Sequence, residues 1–227
     1  MLLAIDTSTT AIGAALHDGQ QVRASVVHLD PRRHGELLAP SVVQALDEAG
    51  LERTALTRVV CGVGPGPFTG LRVGVVTALV LARSLDLPAP AGICSLDALA
   101  HACVGRHHGP LLVATDARRK EIYWATYEVG EEGATRTGGP EVARAQDLPE
   151  ELRLLPTVGR GHLLYPDALP RPLPEAPLDV DPGVLASLAV ALTEGSHPDS
   201  GRALLDPDPL YLRRPDAVAS VPGGAAR

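Results

Sequence analysis

The sequence predicts an α/β fold of two lobes, each built on a βββαβα plan, with the second lobe reduced. Three observations carry it. A short apolar strand ending in aspartate occurs twice, as Leu2-Leu3-Ala4-Ile5-Asp6 and as Leu111-Leu112-Val113-Ala114-Thr115-Asp116, followed each time by a turn and a second apolar strand. Between the two, Val59 to Gly74 reads as a buried strand, a tight glycine-proline loop and the start of a helix. The run Gly105-Arg106-His107-His108-Gly109-Pro110 breaks all regular structure and divides the chain into a lobe of residues 1–105 and a smaller one of residues 110–220. Residues 221–227 have little to pack and read as a disordered tail.

Taken in order, the strand 2–5 is followed by Ala11 to His17, and Asp18-Gly19 supplies a favoured hairpin turn into a third strand from Gln21 to His28. A helix fits from Gly35 or Glu36 to Ala49, with Leu37, Leu38, Val42, Ala45 and Leu46 on one broad face and Gly50 to stop it. The strand Val59 to Val63 and the loop Gly64-Pro65-Gly66-Pro67 come next, and Thr69 is placed to cap a helix from Gly70 to about Leu85. Ala89 to Ile93 is a short strand, and Ser95 reads as the cap of a helix from Leu96 to Val104. In the second lobe, Glu121 to Val129 is a strand and the pattern loosens over Gly130 to Gly139. A helix then falls near Gln146 to Leu154, a strand at Thr157 to Gly159, a proline-rich connection at 166–182 and a last helix at Gly183 to Glu194.

The helix after the glycine-proline loop is apolar nearly all round, so it needs cover on two sides while its own sheet supplies one. Gly70, Gly74, Ala78 and Ala82 recur every four residues, a row that lets another backbone approach closely. Two readings stay open: the row meets a second helix from outside, or it seats the helix on its own sheet.

The chemistry is sparse. Asp6 and Asp116, at the ends of equivalent strands, are placed either to hold Mg²⁺ or a phosphate across a cleft, or to stabilise their own turns. The loop Gly64 to Pro67 lacks the Gly-Lys-Ser/Thr of a P-loop, and its prolines remove backbone donors, so phosphate affinity should be poor. His28 and His34 are six apart and His107-His108 are adjacent, which gives no helical metal pair. Cys61, Cys94 and Cys103 form no Cys-x-x-Cys and read as core thiols. A net charge of −7, with Lys120 the only lysine, argues against tight binding of nucleic acid by this chain alone. No apolar run is long enough for a membrane span, and the chain reads as cytoplasmic.

Four stretches together carry a family resemblance: Ala4-Ile5-Asp6-Thr7-Ser8-Thr9, Gly64-Pro65-Gly66-Pro67-Phe68-Thr69-Gly70-Leu71-Arg72-Val73-Gly74, Asp116-Ala117-Arg118-Arg119-Lys120-Glu121-Ile122-Tyr123-Trp124-Ala125 and Pro209-Leu210-Tyr211-Leu212-Arg213. They resemble the TsaB (YeaZ) family from one end of the chain to the other. The family usually has Ser where this chain has Pro67, which removes a hydroxyl and a donor from the loop. The resemblance implies the fold of actin, hexokinase and Hsp70-type ATPases in reduced form, and a role in forming threonylcarbamoyladenosine beside the anticodon of tRNA. It implies no catalytic residue, metal or cofactor of its own. The catalytic work belongs to a paralogue, TsaD, with this chain as its dimerisation partner. An ATPase, TsaE, and a supply of threonylcarbamoyl-AMP complete the system, and tRNA is met only through the complex. Without the paralogue the same surface is expected to form a homodimer.

On this reading Leu37, Leu38, Leu46, Phe68, Gly70, Leu71, Gly74, Ala78 and Ala82 make the partner surface. Asp6, Thr7, Ser8, Gly64, Gly66 and Asp116 are the remains of a nucleotide site, the one place for ATP and Mg²⁺. The competing reading is a small ATP-dependent kinase or ATPase of the same fold that uses Asp6 and Asp116.

Overall fold

Leu2 to Asp6 and Ala11 to His17 are buried at every position, which requires cover on both faces of their sheet. In the computed structural model, which describes residues 1–200 and 204–213, that cover is present. The first sheet contains β1 (Leu2–Asp6), β2 (Ala11–His17), β3 (Val22–Leu29), β4 (Arg58–Gly62) and β5 (Ala91–Ile93), in the order β3-β2-β1-β4-β5. β2 runs antiparallel to both β1 and β3, while β4 pairs parallel with β1 and β5 with β4. α1 (His34–Glu48) and α2 (Phe68–Ser84) lie side by side on its outer face, and α3 (Ser95–His101) follows β5.

The second sheet contains β6 (Gly109–Asp116), β7 (Ile122–Val129), β8 (Ala134–Ala143) and β9 (Thr157–Val158), in the order β8-β7-β6-β9. That is the plan of β3-β2-β1-β4 over again, so the repeated strand ending in Asp is a repeat of topology. The helices here are short, α4 (Glu150–Arg153) and α5 (Gly161–Leu164), until α6 (Pro182–Glu194). Asp181 caps α6 through hydrogen bonds from the Gly183 and Val184 amides, Pro182 fills its first turn and Gly195 ends it at φ 84°.

The lobes are interlocked. α6, encoded at the end of the second lobe, packs on β1, β2 and β3 of the first sheet, and α3, encoded in the first lobe, packs on β6, β7 and β8. One apolar core therefore runs between the sheets, joining Leu2, Ala4 and Ile93 to Leu111, Val113 and Tyr127 through Leu96, Leu99, Leu185 and Leu188. A second core lies between the first sheet and α1 with α2, and a third on the outer face of the second sheet around Trp124. The strands of the first sheet all precede residue 105 and those of the second all follow residue 108, while α3 and α6 each pack on the sheet of the other half.

Several local expectations need correction. Thr69 is not a cap: α2 begins at Phe68, Pro67 holds the cap position, and no side chain caps it. Ser95 is the first residue of α3 and its hydroxyl points back to the first sheet, and the helix ends at His101 instead of Val104. The loose stretch after Gly130 is a ten-residue edge strand, β8, whose Gly138-Gly139-Pro140 is tolerated because the ladder slips opposite Thr126. Near Gln146 to Leu154 the chain forms a 3-10 turn at Ala145–Asp147 and the single turn of α4. The expected disordered tail, 221–227, lies outside the described residues.

Where α3 and α6 end, His101 and His197 stack with ring centroids 5.7 Å apart. Burial lowers the pKa of both, that of His101 to about 4, and the neighbouring His197 adds to the effect on His101. Both rings are therefore neutral in the fold near pH 7, whereas in the unfolded chain they take up protons below about 6.5. Stability should be full above that value and fall as the pH drops from about 6.5 toward 4, by on the order of 1–2 kcal/mol at pH 5. Urea unfolding at pH 7 and pH 5 checks this, and His101→Asn should flatten the difference.

Candidate functional site

The four stretches that carry the family resemblance meet at the junction of the lobes. At its centre Asp6 is 1% exposed. Its Oδ1 accepts from the Ser8 amide at 2.8 Å and the Ser8 hydroxyl at 2.7 Å, and its Oδ2 accepts from the Ser95 hydroxyl at 2.7 Å. Burial raises its pKa, and the Ser95 and Ser8 bonds pull the other way. The Ser95 hydroxyl also accepts from the Gly64 amide at 3.1 Å, and the Ser95 amide donates to the Gly64 carbonyl at 2.7 Å. The carboxylate thus bolts the β1 turn, the glycine-proline loop and α3 together. Gly62 is obligatory here, because a Cβ would overlap Asp6 Oδ2. A Cβ on Gly66 would likewise meet the backbone of Ser8, so this chain fills its own loop.

Thr7 explains the row of small residues. Its hydroxyl donates to the Gly70 carbonyl at 2.8 Å and accepts from the Gly74 amide at 3.0 Å, gripping one rung of α2. A Cβ on Gly74 would collide with Thr7 Oγ1, and one on Gly70 would lie 3.0 Å from the Thr7 carbonyl. Ala78 and Ala82 continue the same buried face. The row seats the helix on its own sheet and does not face outward. Leu38 and Leu46 are buried in the core under α1 and α2, Leu71 is buried against the loop at Gly64, and Leu37 is half-buried. Of the residues expected at the partner surface, Phe68 is exposed, at 43%.

The face that α2 does leave open was not the one marked by the small residues. Val76, Leu79 and Val80 are 53%, 40% and 62% exposed, and with Phe68, Arg72 and Arg83 they lie within about 120° of one another around the helix. Val43 of neighbouring α1 is 58% exposed. The inference that the helix is apolar on two faces holds, and these outer residues are the signal that sequence reasoning passed over. They were in the apolar count but masked by the more regular row of four.

The cleft itself is nearly shut. Ser8, Thr9, Thr10, His34, Asp116, Arg118, Arg160 and Asp179 line a volume of about 30 Å³, room for one or two waters and far below the several hundred Å³ of a small-molecule site. Arg160 forks onto Asp179 at 2.6 Å, Asp179 Oδ1 accepts from the Thr10 amide, and Thr9 Oγ1 accepts from the Val180 amide. His34 Nε2 lies 3.3 Å from the Thr9 carbonyl. Asp116 accepts from the Arg118 amide at 2.7 Å and pairs with its guanidinium at 3.0 Å, so it stabilises its own turn. Tyr123 Oη reaches the Gly66 carbonyl at 3.5 Å.

The segment Leu204 to Arg213 closes the arrangement. Leu205 pairs with Gly92 at the edge of β5, and the Leu210 amide donates to the Val63 carbonyl at 2.7 Å. Tyr211 stacks on Phe68, and Arg213 reaches the Ala117 carbonyl and pairs with Glu121. Cys61, Cys94 and Cys103 are buried, and burial pushes their thiols up to about 12, 12 and 11, which keeps them protonated and unreactive. Among the described residues, no group of three His, Cys, Asp or Glu side chains is arranged to hold a metal, and no helix is long and apolar enough to cross a membrane.

The order and pairing of the two sheets define a duplicated α/β protein whose second half repeats the strand order of the first in reduced form. The family described as "TsaD: tRNA N6-adenosine threonylcarbamoyltransferase" matches residues 25–155, more than half of the chain. The tRNA threonylcarbamoyladenosine biosynthesis protein TsaB of Escherichia coli is 34% identical over 172 residues, 73% of this chain and 74% of its own length. An uncharacterized protein of Mycobacterium tuberculosis is 41% identical over 95% of this chain and 93% of its own. The solved structure of YeaZ from Pseudomonas aeruginosa superposes with a TM-score of 0.75 at 30% identity, covering 93% of this chain and 99% of its own. The chain belongs to the TsaB (YeaZ) family.

Proposed function

We propose that this chain is a non-catalytic partner subunit in the formation of threonylcarbamoyladenosine on tRNA, pairing with a paralogous TsaD-type transferase. The observation that carries the pairing is the outer stripe of α2, where Val76, Leu79 and Val80 stand in water next to one another while the opposite face is fully seated. The family match to a transferase over 25–155 includes α1 and α2, which supports an equivalent helix pair on the paralogue. The natural arrangement is a pseudo-twofold helical contact, and in the paralogue's absence the same stripe should pair with itself. TsaE, cytoplasmic location and contact with tRNA through the assembled complex belong to the same reading. Sedimentation of the chain alone and with the paralogue tests it: a mixed dimer supports the proposal, and two species that sediment independently at micromolar concentration would contradict it.

The reading also assigns no nucleotide to this chain's own cleft. Asp6 would have to leave three hydrogen bonds to meet a cation, and Ser8 occupies the space beside Gly66. The kinase or ATPase alternative needs that carboxylate open to ligand, and no observation favours it. Calorimetry with Mg-ATP should show no binding tighter than about millimolar, equivalent to about −4 kcal/mol. A micromolar dissociation constant would restore the alternative.

A further inference from the structure

The chain contains one phenylalanine, and it is exposed. Phe68 opens α2, and Tyr211, brought over by the C-terminal segment and 39% exposed, packs on it with ring centroids 5.0 Å apart. Arg72, one turn along the helix, completes the group. Its guanidinium carbon lies 3.8 Å from the centre of the Phe68 ring and 5.8 Å from that of Tyr211, and its Nε donates to Tyr211 Oη at 2.7 Å. Two aromatic rings and a guanidinium left in water are the residue types that dominate binding energy when a partner covers them.

The chemistry of the group is specific. Stacking and the Nε bond fix the plane of the guanidinium, and its two Nη nitrogens have no partner among the described residues. A fixed, open fork of this kind matches a carboxylate. Along the α2 stripe the neighbours are Val76, Leu79, Val80 and a second cation, Arg83, with no anion. A complementary surface is therefore apolar and carries acid. A phosphate backbone fits less well, because the cations are separated by three apolar side chains.

We propose that Phe68, Arg72 and Tyr211 form the anchor of the partner surface and receive an aspartate or glutamate from an apolar helix of the paralogous subunit. The C-terminal strap is then a working part of that surface. It is pinned at Gly92, Val63 and Ala117, so it also links partner binding to the junction of the lobes. The proposal rests on the reading of α2 as the partner face, and the test separates the two.

Full-length Tyr211→Ala, Arg72→Lys and Arg72→Gln variants, with Val76→Asp/Val80→Asp as reference, are titrated calorimetrically against the paralogous subunit at low and high salt, with circular dichroism to confirm folding. Tyr211→Ala and Arg72→Lys should each weaken pairing about tenfold or more, since the lysine keeps the charge and loses the fork. Arg72→Gln should also lose part of the salt dependence of the wild-type pair. Wild-type affinity in the Tyr211 and Arg72 variants, with pairing lost in the Val76/Val80 reference, would overturn the anchor and leave the α2 face standing. Wild-type affinity in all of them would overturn both. Should Tyr211→Ala disturb the fold, the Arg72 variants decide, because that side chain is exposed and lies outside the core.

Discussion

The double substitution Val76→Asp/Val80→Asp should abolish pairing with the paralogue while leaving the chain folded. Both side chains are more than half exposed in the isolated chain, so the fold gains little from them. A partner helix laid on the stripe would bury two carboxylates against apolar side chains. Arg72 and Arg83 stand one turn away on the same helix but are themselves expected to be covered. Leaving charge buried and poorly paired costs several kcal/mol, so affinity should fall on the order of 1,000-fold or more. Thermal unfolding within a few degrees of wild type, together with loss of the mixed species in sedimentation, is the expected pair of results. A double variant that pairs normally would move the interface away from α2.

Gly74→Leu should do the reverse, damaging the fold itself. Thr7 Oγ1 occupies the space a Cβ would take, and it holds both the Gly70 carbonyl and the Gly74 amide. A leucine must push α2 off β1, at about 3 kcal/mol or more of folding stability. The smaller Gly74→Ala isolates the cause. In the wild-type background its Cβ meets the hydroxyl, whereas in a Thr7→Ala background the nearest remaining Thr7 atom is the Cβ at 3.5 Å, an ordinary contact. The two substitutions together should therefore cost less than the sum of each alone, by about 1 kcal/mol in a double-mutant cycle measured by urea unfolding. Strict additivity would show that the helix is seated by something other than Thr7.

These two helix faces show what the sequence made legible and what it hid. Repetition of a strand ending in Asp at 6 and at 116 was enough to expose the duplicated topology, because a continuous apolar run closed by one carboxylate survives in the one-dimensional pattern. The four-residue spacing of Gly70, Gly74, Ala78 and Ala82 was equally plain, and it correctly marked a close backbone approach. Its direction was not legible, since spacing fixes which residues share a face and leaves open what that face meets. Thr7 lies 63 residues from Gly70, and nothing local connects them. The same holds for the cleft. Asp6 looks free in sequence, and only the fold brings Ser95 and Gly64 to close it. β8 was missed because a Gly-Gly-Pro reads as a turn, and only an irregular edge ladder accommodates it. The exchange of α3 and α6 between sheets has no sequence signature, because an apolar helix packs equally well on either neighbour.

The central claim, a partner without chemistry of its own, is tested most directly by omission from a reconstituted reaction. Transfer of labelled threonylcarbamoyl to tRNA is measured with the paralogous transferase and the remaining components present, with and without this chain, and then with this chain as the one protein added. The account predicts incorporation in the complete mixture, a loss of most of it when this chain is left out or replaced by Val76→Asp/Val80→Asp, and none from this chain alone. Incorporation by this chain without its paralogue, or full incorporation in its absence, would contradict it.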